Sequence, residues 1–124
     1  MKKVINSSKA PGAIGPYSQA IEANGLIFVS GQLPINAETG EMPEGAEAQA
    51  RQSLENMKHI LDEAGLTMDN VVKTTVYLSD MAHFADMNKV YASYFIGDFP
   101  ARSAFAVKEL PKQALVEIEC IAVR

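Results

Sequence analysis

The run Leu26-Ile27-Phe28-Val29 is apolar at every position and follows directly on Asn24-Gly25, a dipeptide suited to the positive φ angles of a two-residue hairpin turn. Successive residues of a strand point to opposite faces of its sheet. A strand apolar on both faces must be covered on both, which predicts an interior position. Its hairpin partner is the segment from Ser18 to Ala23. Any fold open to this chain has to surround the second strand of that hairpin, which ends after Ser30-Gly31 because Pro34 cannot donate to a ladder.

Periodicity supplies the other elements. Ala50, Leu54, Met57, Leu61 and Ala64 recur at spacings of four and three, which predicts a helix from about Gly45 to Ala64 with one buried stripe. Val71 to Ser79 alternates, with Val72, Thr74, Val76 and Leu78 on one face and Lys73, Thr75, Tyr77 and Ser79 on the other. Asp80 is placed to cap a second helix running to about Phe95, with Phe84, Met87, Tyr91 and Tyr94 as its stripe. Strands from about Arg102 to Val107 and from Leu115 to Val123 close the chain, while residues 1–17 read as irregular around Pro11, Gly12, Gly15 and Pro16. The predicted order β-β-α-β-α-β-β is an α+β fold, a mixed β-sheet with two helices packed on one face, where right-handed crossovers put them. The other face, with Leu115, Ile121 and Val123, then lacks a cover, which predicts a homo-oligomer.

A length of 124 residues suits a single domain spanning 1–124 without a linker. The net charge of −4 argues against a surface built to neutralise phosphates, so no nucleic acid partner is expected. Neither a signal peptide nor a membrane-spanning run is visible, which predicts a cytoplasmic protein with no membrane partner. The single cysteine, Cys120, rules out an internal disulfide and lies among Val116, Ile118 and Ala122, as a buried small hydrophobe would. Phosphate loops, Cys/His clusters and nucleophile elbows are absent, and His59 and His83 read as surface residues, so no metal site and no cofactor are expected.

Arg102 stands at the start of a strand in a stretch with no acid among the nine residues after Asp98. A guanidinium beside apolar residues needs an anion. Two roles fit it: a clamp for a substrate carboxylate, or a salt bridge within or between subunits to a glutamate of the last strand. Glu117 and Glu119 share a face of that strand, and either can hold a water and take its proton, or simply be solvated. Tyr17 offers a phenol and Gly31 an approachable backbone, although Tyr17 also suits a subunit boundary.

Several motifs occur in order along nearly the whole chain. They are Ala13-Ile14-Gly15-Pro16-Tyr17-Ser18-Gln19-Ala20, Val29-Ser30-Gly31-Gln32-Leu33-Pro34, Gln49-Ala50-Arg51-Gln52-Ser53-Leu54-Glu55-Asn56, Val72-Lys73-Thr74-Thr75-Val76, Pro100-Ala101-Arg102-Ser103, and Leu110-Pro111 leading to Val116-Glu117-Ile118-Glu119. In these the chain closely resembles the YjgF/RidA/UK114 family of reactive-intermediate deaminases. The resemblance implies a chorismate-mutase-like fold in a homotrimer, with sites in the clefts between subunits. It implies cofactor-free hydrolysis of 2-imino acids, 2-iminobutanoate and 2-iminopropanoate, to 2-oxo acids and ammonia. By position, Arg102 would bind the carboxylate and Glu117 would activate water, with Tyr17, Ser30, Gly31 and Asn88 lining the pocket. Ala104 stands where the family usually has cysteine, so a main-chain contact there would survive and a thiol contribution would not. The connection from Phe95 to Phe99 is also shorter than is common. A non-catalytic 2-oxo-acid sensor or chaperone-like trimer is the alternative, and an RNA-cleaving translation inhibitor fits an acidic chain least.

Overall fold

The hairpin forms where Asn24-Gly25 predicts it. In the computed structural model, which describes residues 1–124, Asn24 has φ 52° and Gly25 φ 75°, so both turn residues are left-handed. The turn joins β2 (Ala20–Ala23) to β3 (Leu26–Gln32). The remaining elements are β1 (Lys3–Ile5), α1 (Ala46–Glu63), β4 (Val71–Leu78), α2 (Phe84–Ala92), β5 (Ala101–Ala106) and β6 (Val116–Val123). They build one six-stranded sheet in the order β1-β2-β3-β6-β4-β5.

The C-terminal strand is inserted between β3 and β4 and runs antiparallel to both. Only β4 and β5 pair in parallel, as a strand-helix-strand connection through α2 allows. Ile27, Val29, Val76, Leu78, Val116, Ile118 and Ala122 are buried on one face of the sheet. Against that face α1 packs on β3 and β6, and α2 packs on α1, with Leu54, Met57, Ile60, Leu61, Met87 and Val90 completing the core. The opposite face has no layer over it, and Phe28 and Phe105 are each 44% exposed there. The expected mixed sheet with both helices on one face is what forms.

Three details differ from the sequence expectation. Lys3–Ile5, expected to be irregular, forms an edge strand on β2. The register of β4 against β6 shifts between Val71 and Lys73, so Val71 is buried and Val72 is 45% exposed, whereas strict alternation put Val72 on the core face. The second helix is shorter than periodicity suggests. Asp80 caps a 3₁₀ turn, accepting from the Ala82 N–H at 2.8 Å, and α2 proper ends at Ala92 rather than near Phe95.

The segment before β2 carries almost no regular structure, yet it is fixed by one buried side chain. Gln19 accepts from the Ser7 N–H at 2.7 Å and donates to the carbonyls of Ser7, Ala10 and Pro11 at 3.1, 3.4 and 2.8 Å. A buried amide that satisfies four loop groups acts as a substitute for a strand ladder. Gln19→Ala is expected to lower unfolding stability by about 2 kcal/mol, since it orphans several buried groups. Urea denaturation measures this, and limited proteolysis should cut first within residues 7–17.

Candidate active site

Arg102 lies on the helix-bearing side of β5, opposite Thr74 of β4 in the parallel ladder. Phe84, Asn88 and Tyr91 follow one another on α2 at spacings of four and three, so they form one stripe. That stripe receives the guanidinium. Arg102 Nη1 donates to Asn88 Oδ1 at 2.7 Å, and the guanidinium carbon lies 4.7 Å from the Tyr91 ring centre and 5.4 Å from that of Phe84. Both contacts are within cation–π range. The ion pairs of the chain are Lys89 with Glu47 and Arg124 with Glu22, so Arg102 has no carboxylate partner of its own. The intramolecular salt bridge to Glu117 or Glu119 is thereby excluded.

A cavity of about 360 Å³ opens beside this arginine, lined by Asn88, Tyr91, Ala92, Phe99, Pro100 and Arg102. Its wall is set by an aromatic series, with Tyr91 and Phe95 centres 4.8 Å apart and Phe95 and Phe99 centres 6.3 Å apart. Ala104 sits two residues along β5 on the same face, paired with Val76. It presents only a methyl group.

Glu117 occupies the other face. It is paired across the ladder with Tyr77, whose ring meets Phe105 edge-on at 5.6 Å. The register of β3 against β6 shifts between Val29 and Gln32, so Ser30 and Gly31 bulge from the ladder beside this glutamate. A Cβ on Gly31 would collide with the Glu117 carboxylate, lying only 2.9 Å from its carbon. The absence of a side chain at Gly31, rather than its backbone angle, is what lets the carboxylate lie this close. Burial, with a smaller contribution from the Glu119 charge, raises the Glu117 pKa above the usual carboxylate value. Of the two glutamates that periodicity leaves equivalent, it is Glu117 that packs against the Gly31 bulge.

Tyr17 and Ser30 line a second cavity of about 410 Å³ with Pro16, Ser18, Ile21 and Phe28. Tyr17 is 55% exposed. The Ser30 hydroxyl donates to the Ser18 carbonyl at 2.6 Å and its N–H to the Gln19 carbonyl at 2.9 Å, so Ser30 ties the Tyr17 loop to the bulge. The expected site residues thus fall into two groups. Arg102, Asn88 and Ala104 share the helix side, whereas Glu117 and Gly31 lie by the open face with Tyr17 and Ser30 nearby. No group of His, Cys, Asp or Glu side chains is placed to hold a metal ion. Sequence reasoning gives Phe84 and Tyr91 no part in the site, because an aromatic on a helix stripe reads as core, and it places Gln19 only as part of the hairpin strand and of a motif.

The fold and nearly the whole length of the sequence match known proteins of the YjgF/RidA class. The family model described as "Endoribonuclease L-PSP" matches residues 7–124, and the chain belongs to this family. It is 54% identical to a RutC family protein of Pyrococcus horikoshii, over 98% of each chain. It is 48% identical to a 2-iminobutanoate/2-iminopropanoate deaminase of Escherichia coli, covering 100% of this chain and 99% of that one. The crystal structure of E. coli TdcF with bound serine superposes with a TM-score of 0.95 at 45% identity, over 98% of each chain.

Because the folded-state pKa of Glu117 is raised, the folded chain binds its proton more tightly than the unfolded chain does. The associated stability is fully present below the ordinary carboxylate pKa and is lost as pH rises through the elevated value. Glu117→Gln, which mimics the protonated form, is expected to raise the melting temperature at pH 7 and leave it unchanged at acid pH below both values. Thermal denaturation across that range checks it. Gly31→Ala should push the carboxylate away from the bulge and return its pKa toward the ordinary range, followed by carbon-13 NMR titration.

Proposed function

We propose that this protein hydrolyses 2-imino acids to 2-oxo acids and ammonia, at sites completed between copies of the chain in a homotrimer. The observation that carries the proposal is the placement of Arg102 and Glu117 on opposite sides of one sheet. A single chain cannot close both around one small molecule. The uncovered face, with Phe28, Phe105 and Val123 exposed, calls for a partner surface. When the two surfaces that meet are different, the contact is head-to-tail, and it closes as a ring when the rotation between copies is a whole fraction of a turn. A ring of three is what the family resemblance implies.

Arg102 supplies a planar fork for a carboxylate, with Asn88 holding one of its N–H groups aside. Glu117 accepts a proton from water as the water oxygen bonds to the imine carbon. Glu117 passes that proton to the nitrogen and then relays the proton of the new hydroxyl to it as well, so that the carbon–nitrogen bond breaks, ammonia departs, the carbonyl forms and the carboxylate is restored. A carboxylate with a raised pKa is a stronger base for the first step. The main chain at Ala104 remains available to the substrate without a thiol. The E. coli deaminase at 48% identity supports the reaction class, and the serine bound to TdcF, an amino acid with a carboxylate, supports the clamp. The family description as an endoribonuclease gains no support from a net charge of −4, which offers little attraction to a phosphate backbone.

The test generates 2-iminobutanoate in place with a threonine dehydratase and follows its loss. Glu117→Gln should lower kcat by about 10²- to 10⁴-fold, and Arg102→Ala should chiefly raise KM. At substrate well below the raised KM each variant alone should be nearly inactive, yet co-refolding the two in equal amounts should restore about a quarter of wild-type activity, because one site in four then pairs an intact arginine with an intact glutamate. Absence of any acceleration by wild type, with 2-oxobutanoate still bound, would mark a binding protein instead. Failure of the mixture to regain activity would refute a shared site.

A further inference from the structure

Tyr91 takes no part in the reaction steps above, yet it lies against the group assigned to hold the substrate. Arginine has a long, flexible side chain, and Asn88 accepts from only one of its nitrogens. One hydrogen bond leaves the guanidinium free to swing about it. The rings of Tyr91 and Phe84, at 4.7 and 5.4 Å, limit that motion. The Tyr91 ring is itself fixed: its hydroxyl shares a 2.7 Å hydrogen bond with Thr74 Oγ1, and both residues are buried. Thr74 is in turn the ladder partner of Arg102. The contacts therefore close a circuit from the Arg102 backbone through Thr74 and Tyr91 to the Arg102 guanidinium. Burial raises the pKa of the phenol, which keeps it neutral and its proton in place.

We infer that the Thr74–Tyr91 hydrogen bond positions Arg102, fixing the ring against the guanidinium so that the free N–H groups face an incoming carboxylate. Thr74 and Tyr91 are positioning residues, and the inference rests on the clamp reading of Arg102. Its competitor is that two buried hydroxyls merely satisfy one another. The two ideas separate in the variants Thr74→Val, Tyr91→Phe and the double variant that carries both. Each single change leaves one buried hydroxyl without a partner, whereas the double leaves none and should recover most of the lost stability.

The readouts are KM and kcat for imino-acid hydrolysis, Kd for 2-oxobutanoate by calorimetry, and the urea midpoint. The expected result is a KM and Kd raised about five- to tenfold, within the range of a cation–π contact in a desolvated site, with kcat within about twofold of wild type. In the double variant this weakening should persist although the urea midpoint returns. Recovery of wild-type KM and Kd in the double variant would overturn the inference, as would singles that lose stability with unchanged binding. A wild type that binds and hydrolyses nothing would overturn the clamp as well, so the two failures are distinct.

Discussion

A β-strand cannot direct neighbouring side chains to the same side, and the layout of the candidate site follows that rule. Arg102 and Ala104 on β5 share the helix-bearing face with Thr74 and Val76 of β4. Glu117 on β6 is paired with Tyr77, on the other. The hydrophobic core holds the helices to one face, so no rearrangement of loops can bring the carboxylate around to the arginine. The alternation divides the candidate residues between the two faces, and the packing of both helices on one of them leaves the other uncovered.

Each half is prepared by different means. On the helix side, a charge sits among aromatic rings because Phe84, Asn88 and Tyr91 recur along α2 and cradle it. Desolvating a cation is costly, and ring faces with one amide oxygen offset part of that cost while leaving other N–H groups unused. On the open side, an irregularity does the positioning. The bulge at Ser30-Gly31 and the missing side chain at Gly31 let the Glu117 carboxylate lie against backbone, and Gln19 and Ser30 anchor the loop that carries Tyr17. Bulges beside functional groups are a common way to re-aim a side chain.

The regular parts of this fold were legible because period and turn chemistry agree locally. Asn24-Gly25 located the hairpin, and the Ala50 to Leu61 stripe located α1 within a residue or two. Failures came where one strand adjusts to another. The shift at Val71–Lys73 that exposes Val72 exists only in the pairing with β6, and nothing in β4 itself records it. β1 is three residues long and is held as a strand by β2. The residue types of the site were visible in Arg102 and the paired glutamates, but not the face each occupies relative to the other. Tyr91 was hidden for another reason: a buried aromatic on a helix stripe has the same sequence signature whether it fills the core or supports a charge.

Cys120 lies in the middle of β6, 3% exposed, with burial pushing its thiol pKa up to about 12. In the folded chain it is both shielded and protonated, so a thiol reagent has no thiolate to meet. It becomes reactive only when the central strand separates from its neighbours. The rate at which this single thiol is labelled is therefore an intrinsic clock for opening of the sheet, read without any engineered probe.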